Sequence, residues 1–340
     1  MERAPLGVAV VGAGYWGPNL VRNFYACDDW SVRCVIERDR SRLEKLLRIY
    51  PAIAGHAEIE AALDDPAVDA VALATPPRTH YELAAKAIAA GKHVLVEKPL
   101  AENSRDAADL CEKARIAGVR LMTDHTFLYT GSVERLRAMR ESGELGKVYY
   151  IDSVRVNLGL FQQSNVVWDL APHDVSILNY VLGEVPLSVA LVLGACVHAR
   201  TADVAFLTMW YGGGCLAHVH LSWLSPLKVR RTMISGSKKM AVWDDVEPTE
   251  KIYVYDKGVV LDPSSTTLEQ QMVSYRLGDL HVPLIDNREA LGKLVADFAH
   301  SIRSGEPTRS DGEFGAGVVR VIEAALQSAQ LDGAKVEVAR

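Results

Sequence analysis

The chain has 340 residues, 49% of them apolar and 24% charged, which is the composition of a globular protein long enough for two domains. The net charge of −6 and the lack of a basic tract argue against a nucleic-acid partner. The five scattered cysteines show no CxxC spacing, which argues against a disulfide framework or a zinc site and favours a reducing compartment. No apolar run reaches the roughly 18 residues of a membrane span, and the first strand begins too early for a signal peptide. We therefore expect a cytoplasmic protein with no membrane contact.

The N-terminal part of the chain alternates short β-branched runs with helical segments. The predicted strands are 7–11, 31–36, 70–74, 93–97 and 120–123, and the predicted helices between them are 19–25, 40–49, 80–90 and 104–117. This alternation predicts an α/β domain with a doubly wound parallel sheet. In such a sheet, ligands bind in a crevice beyond the carboxyl ends of the strands.

The pattern changes after about Asp124. Helices are predicted at 132–142, 173–182, 288–304 and 316–329, and strands at 148–156, 187–197, 203–211, 215–224, 229–235, 240–243, 252–255 and 259–261. The glycines at 212–214 suit a hairpin turn. Successive strands without helices between them predict an α+β domain with a largely antiparallel sheet.

Residues 12–17 read GAGYWG and lie between a predicted strand and a predicted helix. Glycine allows the tight turn and the close approach of a pyrophosphate to the helix N-terminus, so this context predicts a dinucleotide-binding loop. The candidate cofactor-binding residues of this loop are Gly12, Gly14, Tyr15, Trp16 and Gly17.

Glu37 ends the second predicted strand, 20 residues after Gly17. A carboxylate at this place binds the ribose hydroxyls of the adenosine and repels a 2′-phosphate, which favours NAD. The next residue, Arg38, is able to clamp a 2′-phosphate, so NADP remains an alternative.

Further motifs extend along nearly the whole chain. They are Thr75-Pro76-Pro77 with His80, Ala90 to Val94, Glu97-Lys98-Pro99, Gly146-Lys147-Val148, Trp168 to Asp174, and Asp311-Gly312. Together they resemble the Gfo/Idh/MocA oxidoreductase family, named for glucose–fructose oxidoreductase, inositol dehydrogenase and a rhizopine-catabolism protein. The combination of Glu-Lys-Pro with Asp-x-x-x-His is specific, whereas either half alone is not.

The resemblance implies an NAD(P)-binding Rossmann domain over residues 1–124 and an α+β domain for substrate binding and oligomerisation over residues 125–340. It implies an open, predominantly antiparallel sheet whose exposed face forms homodimer or homotetramer contacts. The terminal helices are expected to pack back on the Rossmann domain. The Lys98–Pro99 peptide is expected to be cis.

The resemblance also assigns catalytic roles to Lys98, Asp169 and His173. Hydride transfer at a carbinol carbon requires a proton to move as well, and imidazole titrates near working pH. Asp169 lies four residues before His173, one turn away if the segment is helical. The Lys98 ammonium can stabilise an alkoxide or polarise a carbonyl. Whether Lys98 or His173 carries the proton is left open.

Other residues join the candidate site with weaker support. On the cofactor side they are Thr75, Pro76, His80, Glu97 and Lys98, and on the substrate side Lys98, Arg155, Asn157, Trp168, Asp169 and His173. Arg155, Asn157 and Trp168 are as consistent with structural roles as with a substrate cleft. His218 and His220 share a strand face without an evident third ligand, so we expect no metal site.

Residues 12–19, 157–159 and 168–174 resemble a branch of the family associated with nucleotide-sugar modification. We therefore expect an NAD(P)-dependent dehydrogenase or 3-ketoreductase acting at C3 of a nucleotide-linked hexose. The alternatives are a free cyclitol or sugar dehydrogenase of the inositol dehydrogenase type, and a regulatory protein that binds NAD(P) without catalysis.

Overall fold

The computed structural model describes residues 4–159, 165–197, 199–261 and 273–339 of the chain. In chain order its elements are β1 Leu6–Val11, α1 Gly17–Ala26, β2 Trp30–Ile36, α2 Arg40–Ile49, β3 Ala54–His56, α3 Glu60–Leu63, β4 Ala70–Leu73, α4 His80–Ala89, β5 His93–Glu97, α5 Ser104–Ala117, β6 Leu121–Asp124, α6 Gly131–Glu141, β7 Val148–Leu158, α7 Val166–Leu182, β8 Ser188–Gly194, β9 Val204–Trp210, β10 Leu216–Ser222, β11 Leu224–Gly236, β12 Met240–Asp244, β13 Ile252–Leu261, β14 Val273–His281, α8 Ala290–Ser304, α9 Gly312–Gln330 and β15 Val336–Glu337.

The first sheet has the strand order β3-β2-β1-β4-β5-β6 within the described residues. All of its pairs are parallel. The strand order reverses between β1 and β4, and a crevice opens at such a switch point beyond the carboxyl ends of the strands. This sheet confirms the predicted Rossmann fold.

Local signals explain where the helices of this region begin and end. The Asp39 carboxylate accepts hydrogen bonds from the first amides of α2, and the Asn103 side chain accepts one from the amide of Asp106 in α5. Gly118 ends α5 with a φ of 68°, a left-handed conformation that glycine adopts without strain. These caps lie at the predicted bounds of both helices.

The chain divides into two compact units. The first holds the residues up to Thr130 together with Arg288–Arg320, and the second holds Gly131–Asn287 together with the residues from Val321 onward. In the first unit, the Trp30 indole donates to the Val295 carbonyl oxygen of α8 at 2.8 Å. Helix α8 thus belongs to the first unit, and the division between the units falls within α9.

The second sheet has the strand order β14-β13-β12-β11-β7-β10-β9-β8-β15 in the described part of the chain. Neighbouring strands are antiparallel except β7 and β10, which are parallel. Helix α7 contacts β7, β9 and β10. The residues that alternate with the buried ones, such as Phe206 and Leu216, remain exposed. The structure confirms the predominantly antiparallel sheet and its glycine hairpin between β9 and β10.

Several predicted bounds need correction. Helix α7 begins at Val166 rather than at residue 173, because Asn165 caps it and Pro172 lies inside it. The two strands predicted at 252–255 and 259–261 are one strand, β13. Strands β3 and β14 were not predicted: β3 is only three residues long, whereas β14 does alternate apolar and polar residues from Val273 to Leu277 and was missed. None of the helices in the described ranges combines the length and apolar character needed to cross a bilayer.

Candidate active site

The loop between β1 and α1 is shaped by two of its glycines. Gly12 has a φ of 97°, and a Cβ atom on it would lie 2.6 Å from the Ala74 carbonyl oxygen. A Cβ atom on Gly17 would lie 2.0 Å from the carbonyl oxygen of Gly12. A Cβ atom on Gly14 would meet only the Arg42 guanidinium, at 4.0 Å. The outer glycines thus permit the turn, and the middle one leaves space for a phosphate, as a dinucleotide requires.

Glu37 is held by backbone amides at the end of β2. Its Oε2 atom accepts a hydrogen bond from the Ala13 amide at 2.7 Å, and Oε1 accepts one from the Asp39 amide at 2.9 Å. These bonds fix a carboxylate beside the glycine-rich loop, where ribose hydroxyls bind. The Arg38 side chain is exposed and lies 3.5 Å from the Glu58 carboxylate.

His80 joins the loop after β4 to the peptide after Lys98. Its Nδ1 atom lies 2.7 Å from the Pro99 carbonyl oxygen, and Nε2 lies 2.8 Å from that of Thr75. Burial lowers the pKa of His80, while the two carbonyl contacts oppose that effect. Pro76 is exposed beside Thr75. His80 therefore supports the backbone of this loop.

Lys98 follows the last residue of β5, and the Lys98–Pro99 peptide is cis, as the resemblance implies. Glu97 is the register partner of Asp124 at the end of β6. The Trp16 indole nitrogen donates a hydrogen bond to Asp124 Oδ2 at 2.9 Å. The neighbouring Tyr15 is 94% exposed. The glycine-rich loop is thus bonded to the end of β6.

In the second unit, Asp169 and His173 are four residues apart on α7, so the helical spacing expected for them is present. The Trp223 indole nitrogen donates to Asp169 Oδ2 at 3.0 Å, and Trp223 is 1% exposed. The Gly159 amide donates to the Trp223 carbonyl oxygen, and a Cβ atom on Gly159 would lie 2.7 Å from the indole ring. Trp223 therefore fixes the Asp169 carboxylate.

The three weaker substrate candidates lie in different environments. Arg155 is buried and forms an ion pair with Asp174, with 2.5 Å between Nε and Oδ2. Asn157 on β7 and Trp168 in the first turn of α7 are half-buried. Arg155 thus connects β7 to α7, while the other two expose part of their surface.

Sequence reasoning did not single out Asp124 or Trp223, and it gave Asp174 no role. Each lies far along the chain from the residue it bonds, so no local spacing indicates the contact. The described residues hold no group of three or more side chains suited to a metal ion. His218 and His220 stack with Phe206 on the exposed sheet face.

Two family models match this chain. The model of an oxidoreductase family with an NAD-binding Rossmann fold, GFO/IDH/MocA, matches residues 6–125. The model of the C-terminal domain of that family matches residues 133–242. Together they cover more than half of the chain.

Curated relatives match at low identity. The 2,7-anhydro-N-acetylneuraminate hydratase of Escherichia coli is 27% identical over 62% of this chain and 60% of its own length. The myo-inositol 2-dehydrogenase of Thermotoga maritima is 24% identical over 91% of each chain. The UDP-N-acetylglucosamine 3-dehydrogenase of Acidithiobacillus ferrooxidans is 28% identical over 76% of this chain and 77% of its own.

The solved structure of that last enzyme superimposes with a TM-score of 0.80 at 23% identity, covering 97% of this chain and 99% of the enzyme. At this identity the likeness concerns the fold. The matched models, the glycine-rich loop and the Glu37 carboxylate agree with one another. The chain therefore belongs to the Gfo/Idh/MocA family of NAD-dependent oxidoreductases.

Proposed function

We propose that this enzyme transfers hydride between NAD and a sugar hydroxyl or keto carbon, at C3 of a nucleotide-linked hexose. The observation that supports the proposal most directly is Lys98, which follows the last residue of β5 in an NAD-binding sheet. The UDP-N-acetylglucosamine 3-dehydrogenase of Acidithiobacillus ferrooxidans, which matches over three quarters of both chains, supports this substrate class.

The cofactor supplies the hydride acceptor or donor, and the residues of the chain supply proton transfer and charge. In this proposal Lys98 stabilises the negative charge that develops on the reacting oxygen. His173 and Lys98 are the two candidates for the proton carrier. Asp169, fixed by Trp223, orients His173 and stabilises its protonated form.

Substitution of Lys98 tests the mechanism. Lys98→Met should lower kcat by orders of magnitude while NAD still binds, since the charge is lost from the reacting centre. The matched control is Lys86→Met, which removes an ammonium from the exposed face of α4, where it pairs with Glu82. If both variants turn over substrate at the same rate, Lys98 has no catalytic role.

A substrate panel tests the specificity. The enzyme is mixed with NAD and with nucleotide-linked hexoses, their 3-keto forms, free hexoses and myo-inositol, and absorbance of the reduced nicotinamide is followed. We expect turnover of nucleotide-linked sugars and slower turnover of free ones. Turnover of the free compounds alone would contradict the proposed substrate.

A cyclitol or free sugar is the second candidate substrate. The myo-inositol 2-dehydrogenase of Thermotoga maritima matches 91% of both chains, more than the nucleotide-sugar enzyme does. The same panel separates the two candidates, because a cyclitol enzyme gains nothing from a nucleotide on its substrate.

We also propose that the protein forms a homodimer or homotetramer through the exposed face of the second sheet. Phe206 on β9 and Leu216 on β10 are exposed there, and Phe206 stacks on His220 with ring centroids 4.7 Å apart. An apolar surface of this kind is typical of an interface. Phe206→Asp should shift the mass measured by light scattering to that of a monomer, and a wild-type monomer would contradict the proposal.

A further inference from the structure

Two carboxyl groups face each other where β5 and β6 end. Glu97 and Asp124 are register partners on these parallel strands, and Asp124 is 2% exposed. The buried Oε2 atom of Glu97 has no hydrogen-bond donor beside it among the described residues. Two adjacent buried carboxylates repel each other strongly, so one of them keeps its proton.

The contacts of the Glu97 and Asp124 side chains indicate which of the two carries the proton. Asp124 Oδ2 accepts a hydrogen bond from the Trp16 indole at 2.9 Å, and Oδ1 accepts one from the Thr126 hydroxyl. Asp124 is the acceptor in both bonds, which leaves Glu97 as the member of the pair that can donate. Burial raises the pKa of Glu97 well above its usual range, and the Asp124 charge raises it further, against the opposing effect of Lys98. Protonated Glu97 then donates a hydrogen bond to Asp124.

The bond from Trp16 reaches across the first sheet. Trp16 belongs to the loop after β1, whereas Asp124 ends β6, and β4 and β5 lie between these strands. The indole therefore extends over the carboxyl ends of the central strands, where a Rossmann domain binds its dinucleotide. Trp16 also precedes Gly17, the first residue of α1, and in a Rossmann domain the amides at this helix N-terminus receive the pyrophosphate.

We propose that Asp124 is a positioning residue for the NAD site, which holds the Trp16 indole across the crevice, and that Glu97 is the protonated partner that keeps the negative charge on Asp124. The single proton shared by Glu97 and Asp124 then determines how firmly the glycine-rich loop is held. This role concerns cofactor binding and is independent of the substrate that the enzyme oxidises or reduces.

A double-mutant cycle on the full chain tests the positioning role. NAD binding is measured by calorimetry for Trp16→Phe, Asp124→Ala and the double variant. Each single substitution should weaken binding about tenfold, as expected for loss of a hydrogen bond to a charged group. The double variant should bind no more weakly than the weaker single one.

The matched control is Trp30→Phe, which removes an indole that donates to a backbone carbonyl elsewhere in the first unit. It should leave the dissociation constant for NAD within about twofold of wild type. Effects of Trp16→Phe and Asp124→Ala that multiply in the double variant, or wild-type affinity of Trp16→Phe, would overturn the positioning role.

Infrared spectroscopy tests whether Glu97 is protonated. It requires neither enzyme activity nor a stable Asp124 variant. Wild type at about pH 7.5 should show the C=O stretching band of a protonated carboxyl group, and Glu97→Gln should lose it. Asp109→Asn is the control, because the Lys113 ammonium lowers the pKa of that carboxyl. An unchanged band in Glu97→Gln would show that Glu97 is ionised and would overturn its proposed role.

Discussion

The buried ion pair between Arg155 and Asp174 allows a quantitative prediction. The two side chains are 4% and 3% exposed, and the second Asp174 oxygen accepts a hydrogen bond from the Ser153 hydroxyl at 2.8 Å. Asp174→Asn keeps the shape of the side chain and removes its charge. Breaking a buried pair in this way costs about 3–5 kcal/mol. For a unit of this size the midpoint of thermal unfolding should fall by roughly 6–20 °C.

Denaturation in urea, followed by tryptophan fluorescence, measures this loss as a change in the free energy of unfolding. The matched control is Asp244→Asn on the same sheet, where the pair with Arg231 spans 2.9 Å but the side chains are 21% and 59% exposed. Exposed pairs contribute about 0–1 kcal/mol, so this variant should lose no more than that. Equal losses in the two variants would refute the reasoning that burial sets the cost.

Three further predictions concern the candidate site. Trp223→Phe removes the donor to Asp169, and kcat/KM should fall about tenfold, the value of one charge-assisted hydrogen bond; an unchanged kcat/KM would refute the positioning of Asp169. Gly17→Ala places a Cβ atom 2.0 Å from the Gly12 carbonyl oxygen, so calorimetry should detect no NAD binding, and retained affinity would contradict the described loop. Burial lowers the pKa of His80, so as the pH falls through about 6.5 the unfolded chain binds a proton that the folded chain does not. Below that pH the free energy of unfolding should drop by up to ~1.4 kcal/mol per pH unit, and His80→Gln should reduce this slope.

The fold of the first unit could be predicted because its signals are local. The Asn103 cap and Gly118 mark the ends of α5 within the residues of the helix itself or next to them. The start of α7 could not, because Pro172 suggests the first turn of a helix, whereas the chain begins the helix at Asn165 and tolerates the proline inside. Tertiary packing of this largely buried helix outweighs the lost backbone hydrogen bond.

In the candidate site, too, some relations follow from a local sequence pattern, whereas others depend on contacts between distant parts of the chain. The four-residue spacing of Asp169 and His173 suggested that they lie one turn apart if the segment is helical, but the predicted helix began at residue 173, and only the structure includes Asp169 in α7. The donor to Asp169 lies 54 residues later in the chain, between β10 and β11. Likewise Trp16 and Asp124 are 108 residues apart, and their bond depends on the complete sheet. Contacts of this kind follow from the topology and leave no periodic pattern in the sequence.

Strand β7 has an unusual place in the second sheet, between β10 and β11, although those two follow each other in the chain. The strands from β8 to β10 form one meander, those from β11 to β14 form another, and β7 pairs with the last strand of the first and the first strand of the second. Neither meander can complete its pairing until β7, which precedes both of them in the chain, is inserted between them. Closing such distant contacts is slow, so the joining of the two halves around β7 should limit the folding rate of this unit.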